Sequence, residues 1–324
     1  MRMDIVACTD KWFVMPTGVM IYSVCVNNPE VDIVFHIITD DNVTGKDQHD
    51  LEDVVASFNG KSVKFYLVSE QILSIKFPVR EDRKDIMQTT YYRLWLAELL
   101  PPTIDKVLYL DGDIIVRHSL LPLWNTDLGN NAIAAVPDCL EGNMEYYQRL
   151  GYPSELGYFN AGVLLINLSY WREHEVINHF VRYIQTHAED ILCQDQDVLN
   201  VFFKERKIIL PLKYNLMSGF IIKKPKIDVK KYENELLEAH TDPVIVHFIA
   251  DKPWYSYSRT PKHPFASTFF KYQNQTRWKG VKTDRRPFKL RVINWVADIL
   301  RKYGLKSQLP PVSWRDYIDI APVD

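Results

Sequence analysis

Through the first two thirds of the chain, short runs of β-branched and aliphatic residues alternate with longer stretches whose apolar positions recur at helical spacing. The short runs predict strands at 4–8, 33–38, 63–68, 106–110, 132–136, 163–167, 207–210 and 244–247. The longer stretches predict helices near 16–27, 45–58, 86–100, 170–188 and 194–203. Strands that alternate with helices form an α/β domain around a mainly parallel, twisted sheet with helices on both faces. Ligands of such sheets lie beyond the carboxyl ends of the strands, so polar residues that end an apolar run are the first candidates for chemistry.

The pattern changes after residue 278. Within 285–305, Phe288, Val292, Trp295, Val296, Ile299 and Tyr303 fall at helical spacing, and Lys289, Arg291, Arg301 and Lys302 occupy another side. This predicts a basic amphipathic helix in a C-terminal extension, 279–324, that follows a main domain at 1–278. Two placements fit it. It can lie on an anionic membrane surface, or it can dock on the domain with its basic side in water.

Charge and composition narrow the class. The formal charge is −2, yet residues 279–306 carry nine Lys/Arg against Asp284 and Asp298, so the rest of the chain is acidic. An acidic body with one short basic segment does not match a nucleic-acid binder. With 324 residues, 47% of them hydrophobic and 25% charged, the chain can bury a core that needs neither disulfides nor structural zinc. Cys8, Cys25, Cys139 and Cys193 are scattered and form no CxxC pair, which fits reduced thiols in a cytoplasmic protein. The opening MRMDIVACTD runs straight into a strand without a signal-peptide core. No apolar stretch approaches the roughly 20 residues that a membrane span needs.

Neither GxGxxG nor GxxxxGK[ST] occurs, so a bound nucleotide would need its phosphates neutralised by something other than a glycine-rich loop. The stretch KVLYLDGDIIV at 106–116 offers one means, because a buried run ends there on Asp111 and Asp113 with Gly112 between them. Two carboxylates at one strand end repel each other unless a cation sits between them. Hard oxygen ligands suit Mg²⁺ or Mn²⁺, and the glycine allows a tight turn with room for a phosphate. A plain strand-ending turn is the alternative, since Asp and Gly favour turns.

Other polar points punctuate apolar runs. Asn160-Ala161-Gly162 opens an apolar strand, with small residues suited to a flat ligand such as a sugar and an amide suited to its hydroxyls; a plain strand entry with the asparagine as a turn former is the alternative. Gln194-Asp195-Gln196-Asp197 crowds four polar side chains at a helix start, where capping by Asp195 or Asp197 explains one aspartate only. His247 ends a run that continues to Asp251-Lys252-Pro253-Trp254. By itself the histidine reads as a core or edge residue, whereas Lys252, held extended before the proline, is aimed to meet a phosphate. Arg93 lies on a helix of apolar spacing and by itself reads as a surface arginine with a buried stem.

In their order, DIV at 4–6, the YRL around Arg93, VLYLDGDIIV, PLWNTDLG, YFNAGVLLINL, QDQDVLN and HFIADKPW resemble glycosyltransferase family 8. The likeness is nearest to the retaining bacterial lipopolysaccharide galactosyl- and glucosyltransferases, with glycogenin more distant, and it covers residues 3–260. It implies a GT-A fold and a UDP-sugar donor. It also implies Mn²⁺, or Mg²⁺, held by Asp111, Asp113 and His247, which makes the histidine a ligand. Asp10 would contact the uracil beside the backbone of Cys8 and Thr9, and Lys252 would meet the diphosphate. Arg93, Asp138, Asn160, Ala161, Asp195 and Gln196 would surround the donor sugar. The implied reaction moves a galactose or glucose to a glycan or glycolipid acceptor in cell-surface glycan synthesis. The expected location is the cytoplasm, with the inner face of the cell membrane as the alternative if the basic helix lies on lipid.

The sequence departs from the family pattern in two places. Ala250 stands where relatives commonly have a glycine three residues after the histidine, and Lys252 comes one residue early. Lys11-Trp12 replaces a more polar pair near the base, where the tryptophan would be free to stack on uracil. The family motif puts Gln196 nearest the anomeric carbon, and an amide is a poor nucleophile. Same-face attack by the acceptor, with departing UDP as base, is therefore the expected route, and Asp195 is the alternative nucleophile. Three rivals are a sugar nucleotidyltransferase, which lacks its glycine-rich loop here, a non-catalytic nucleotide-sugar-binding module, and a glycogenin-like self-glycosylating protein.

Overall fold

The computed structural model describes residues 1–75, 77–78, 88–221, 226–249, 252–255, 263–283 and 288–307. Its strands are β1 (Arg2–Thr9), β2 (Asp32–Thr39), β3 (Lys61–Leu67), β4 (Lys106–Leu110), β5 (Ile114–Val116), β6 (Ile133–Pro137), β7 (Phe159–Asn167), β8 (Lys207–Ile209), β9 (Leu216–Met217) and β10 (Ile245–His247). Seven of them form one sheet in the order β3-β2-β1-β4-β7-β6-β8. β1, β2, β3 and β4 pair in parallel, as do β6 and β8, while β7 runs antiparallel to both β4 and β6.

Successive side chains of a strand point to opposite faces, and both faces of this sheet are covered. Ile5, Ala7, Ile33 and Phe35 enter a core shared with the helix Val14–Asn27. Val6, Ile38, Tyr109 and Leu164 enter the opposite core, with Trp171 and Phe180. The first eight residues of β7 are buried, which explains its unbroken apolar run.

Three elements differ from expectation. The strand containing His247 does not join the main sheet. β10 lies in a separate three-stranded sheet, antiparallel to β5 and parallel to β9. The reason lies in the Asp111–Asp113 turn: the chain leaves the main sheet there, and β5 carries the second sheet. The helix expected near 86–100 is a tighter 3-10 segment, Gln88–Trp95, followed by the short helix Leu96–Leu99; residues 86 and 87 lie outside the described set. The single helix expected at 170–188 is two, Leu168–Glu173 and Val176–Thr186, broken where Glu175 takes a left-handed φ of 44°.

Toward the C-terminus, the Trp278 ring closes on Gly18 so tightly that a Cβ there would overlap it, and Gln273 Nε2 donates to Val281 O at 2.8 Å. The predicted amphipathic helix forms over Phe288–Lys302. Its buried residues are Asn294 and Ala297, whereas Phe288, Val292, Ile293, Trp295 and Val296 are exposed. Most of the predicted apolar positions are therefore on the exposed side of the helix, and Ile299 is half-buried.

Candidate active site

The turn between β4 and β5 is built by backbone pairing. Asp111 N–H donates to Gly162 O at 2.9 Å, and Phe248 N–H donates to Asp113 O at 2.9 Å. The main sheet and the small sheet therefore meet at these two aspartates. His247 Nε2 lies 3.6 Å from Asp111 Oδ2 and 3.2 Å from Asp113 Oδ1, and the three ligand atoms lie within 4.8 Å of one another. The remaining oxygens are engaged elsewhere. Asp111 Oδ1 accepts from Arg93 Nη2 and Tyr109 Oη, both at 2.9 Å, and Asp113 Oδ2 accepts from Lys252 Nζ.

Two carboxylate oxygens and one imidazole nitrogen around one small space are donors that a divalent cation can take. Close packing agrees with that fit. A Cβ on Gly162 would lie 2.8 Å from Asp111 Oδ2 and would overlap the His247 ring. Gly112 has a related reason that differs from the expected one. Its φ is not left-handed, but a Cβ would come within 2.6 Å of Thr17 Oγ1. Burial by itself would raise the Asp113 carboxyl, but Lys252 and His247 outweigh burial and hold it well below the usual carboxylate range.

Arg93 is not a surface arginine. It is 4% exposed and sits between Asp111 and Asp195, with Nε 3.0 Å from Asp195 Oδ2 and its guanidinium 4.3 Å from the Tyr109 ring centroid. Its Nη1 also donates to Ala161 O at 2.5 Å. Burial acts to lower its pKa, and the two aspartates raise it beyond that loss, so the charge is secure. Asp195 is buried enough that, even against the pull of Arg93, its carboxyl is pushed up to about 7. A carboxyl shifted this far in a cleft marks a functional position more often than a structural one.

Asp138, Asn160 and Gln196 form one network. Asp138 Oδ2 accepts from Asn160 Nδ2 at 3.0 Å and from Gln196 Nε2 at 3.2 Å. Gln196 Oε1 in turn accepts from Asn160 Nδ2 at 3.1 Å and from Ala161 N at 3.0 Å. The amide of Gln196 is thus held by three neighbours, Asp138, Asn160 and Ala161.

These groups line one cavity of about 400 Å³ that contains Cys8, Asp10, Arg93, Asp111, Gly112, Asp113, Asp138, Asn160, Ala161, Asp195, Gln196, His247 and Lys252. That volume suits a ligand of nucleotide-sugar size. Thr9 is fully buried outside this wall, where its hydroxyl accepts from Thr17 Oγ1 at 3.2 Å. Asp10 Oδ1 accepts from Trp12 N at 2.8 Å and Phe13 N at 3.2 Å, which bends the chain into the next helix. The aromatic ring this turn brings to the cavity is that of Phe13; Trp12 is 41% exposed and not part of the wall. Ala250 lies outside the described residues.

The expected cap at 194–197 takes another form. No side chain caps the helix Gln194–Phe203. Instead Asp197, fully buried, accepts from Leu192 N and Cys193 N at 2.7 Å each, from Tyr158 Oη at 2.7 Å, and from both Arg149 Nη atoms. This clamp holds the turn in which Gln194 adopts a φ of 48°, a strained conformation for a residue with a side chain. Arg149 lies in the helix Met144–Leu150, and no sequence pattern marked it. Asn215, between β8 and β9, was also unmarked. It is fully buried, touches His247 and Asn160, and follows an ordinary lysine–tyrosine pair that gives no signal.

Comparison with known proteins agrees with the geometry. The family profile described as Glycosyl transferase family 8 matches residues 4–258. The chain is 28% identical over 277 residues to lipopolysaccharide 1,3-galactosyltransferase of Salmonella typhimurium (strain LT2), spanning 83% of this chain and 77% of that one. It is 25% identical over 283 residues to general stress protein A of Bacillus subtilis (strain 168), spanning 86% and 96%. Among solved structures, galactosyltransferase LgtC in complex with donor and acceptor sugar analogues superposes with a TM-score of 0.75 at 29% identity, covering 90% of this chain and 99% of that one.

Proposed function

The chain belongs to glycosyl transferase family 8, and from that premise we propose that it moves a galactosyl or glucosyl residue from a UDP-sugar to a cell-surface glycan, with retention at the anomeric carbon. The observation that carries this reading is the convergence of Asp111 Oδ2, Asp113 Oδ1 and His247 Nε2 on a cavity that the Asp138–Asn160–Gln196 network also lines. The first group suits a cation and phosphates, and the second suits sugar hydroxyls. The galactosyl- and glucosyltransferases among the relatives support the choice of hexose.

Mn²⁺ bound by the three ligands would act as a Lewis acid on the diphosphate and stabilise charge on the leaving group. The chain's own residues supply the rest. Lys252, hydrogen-bonded to Asp113 and to Phe248 O at 2.6 Å, lies within reach of the same charge. Asp10 and Phe13 border the space assigned to the base, and Arg93 holds Asp111 and Asp195 apart at the sugar. Gln196 faces the anomeric carbon with a fixed amide. It orients the acceptor's same-face attack, and the proton leaves with UDP. Asp195 pairs with Arg93 and serves position rather than covalent attack. We assign 1–278 to catalysis and 279–324 to an extension.

No helix among the described residues is long and apolar enough to cross a membrane. Peripheral contact is the reading that the C-terminal helix supports, because exposed Val292, Trp295 and Val296 are flanked by exposed Lys289 and Lys302, the pairing that an anionic lipid surface favours. The test of the catalytic reading is a panel of UDP-sugars scored for UDP release with Mn²⁺ and with chelator. UDP-galactose or UDP-glucose should give metal-dependent release. Equal release with chelator, or none from any hexose donor, would overturn the reading.

A further inference from the structure

Asn215 is fully buried and does not line the cavity, yet it touches both His247 and Asn160. Its Oδ1 is 3.0 Å from His247 Nδ1, and its Nδ2 donates to Asn160 Oδ1 at 2.9 Å. The direction of each bond follows from groups that have no choice. The Gly162 backbone N–H donates to Asn160 Oδ1 at 2.9 Å, so that atom is the amide's oxygen. At the other end of the same amide, Asn160 Nδ2 faces the Asp138 carboxylate at 3.0 Å, which favours a donor there.

With Asn160 fixed, Asn215 must present its NH₂ to Asn160 and its oxygen to His247. An imidazole facing that oxygen must carry a proton on Nδ1, so Nε2 is the atom that can offer a lone pair to a cation shared with Asp111 and Asp113. The reverse arrangement would set two buried oxygens against each other and turn the Asn215 NH₂ onto Nδ1, forcing the imidazole proton onto Nε2.

We propose that Asn215 is a positioning residue that holds His247 in its metal-accepting tautomer and, through Asn160, ties metal binding to the donor-sugar pocket. This rests on the reading of Asp111, Asp113 and His247 as metal ligands. Partners that fix the far nitrogen of a ligating histidine typically matter by 10- to 100-fold in metal affinity or activity. The amide is suited to the task because it accepts at one end and donates at the other. Asn215→Asp can still accept from His247 but loses the NH₂ group that reaches Asn160, whereas Asn215→Leu can do neither.

The two variants therefore separate the two links. The measurement is Mn²⁺ binding to full-length protein by paramagnetic resonance of the free ion, with and without UDP, alongside kcat and KM for the donor. Asn215→Leu should bind Mn²⁺ about ten- to a hundredfold more weakly. Asn215→Asp should bind it at least as tightly as the parent while losing kcat by about tenfold or more. A structural role would lower the melting temperature and affect both variants alike, and that parallel loss would overturn the proposal. Parental Mn²⁺ affinity in a folded Asn215→Leu would overturn it as well. Failure of the parent protein to bind Mn²⁺ at all would instead remove the metal reading and this inference together.

Discussion

The cleft and the C-terminal helix break the usual rule of burial in opposite directions. In the cleft, Arg93, Asp113, Asp138 and Asp195 are each less than 10% exposed, in a region where charge is costly. On the helix Phe288–Lys302, Phe288, Trp295 and Val296 are each more than 40% exposed, where apolar surface is costly. The costs are met differently. In the cleft, nearly every charge has partners within the chain, and the atoms facing the cavity are directed at what it binds. On the helix, no partner among the described residues covers Phe288, Trp295 and Val296. Buried charge identifies a site by what already surrounds it, whereas exposed apolar surface identifies one by what is missing.

The comparison breaks first if the aspartate pair can be dispensed with. Asp113→Asn removes a metal oxygen and the partner of Lys252 together, and kcat/KM should fall by on the order of a thousandfold, with Mn²⁺-dependent UDP binding lost in calorimetry. Unaltered UDP binding in the presence of Mn²⁺ would contradict the cation site. Gly162→Ala tests the packing under it without removing a ligand. The added methyl must displace His247 or Asp111, so Mn²⁺ affinity should weaken by roughly ten- to a hundredfold. An affinity equal to the parent's would show that the cradle is looser than its distances indicate.

Asp195 gives a third test, with two readouts. If it holds Arg93 rather than attacks, Asp195→Asn should slow turnover about tenfold and not abolish it; complete loss would restore the covalent role. Its folded pKa of about 7 lies above the ordinary value, so its contribution to stability is fully present below about pH 4 and is lost as pH rises through about 7. Urea unfolding at pH 5 and pH 7.5 should therefore show that the parent loses roughly 2 kcal/mol more than Asp195→Asn over that interval. Equal losses would mean that the carboxyl titrates normally. The smallest expected effect concerns the helix: replacing Val292, Trp295 and Val296 with serine should lower binding to anionic vesicles severalfold without lowering the melting temperature. Unchanged vesicle binding would leave the exposed side without a membrane role.

Much of the site was legible because its residues end apolar runs. Asp111, Asp113, Asn160 and His247 each stand where a buried strand stops or starts, and period alone exposes such points. Arg93 and Asp197 misled for the opposite reason. An arginine at helical spacing ordinarily extends into water, and an aspartate at a helix start ordinarily caps. Only contacts distant in sequence, 18 residues to Asp111 and 48 to Arg149, gave them other duties. Asn215 gave no local signal, because its partners are His247, 32 residues later, and Asn160, 55 residues earlier.

By itself the sequence determined the alternation of strands and helices, the polar punctuation of the strands, and the family to which these belong, since all three are local patterns of apolar spacing and motif. It also determined that the C-terminal helix would have an apolar side. Tertiary structure decided which way that side faces, that β10 leaves the main sheet to set His247 against the aspartates, and that Gly162 and Asn215 hold the arrangement. These are outcomes of close packing and of hydrogen-bond direction between segments far apart in the chain. Spacing along the sequence carries no record of either.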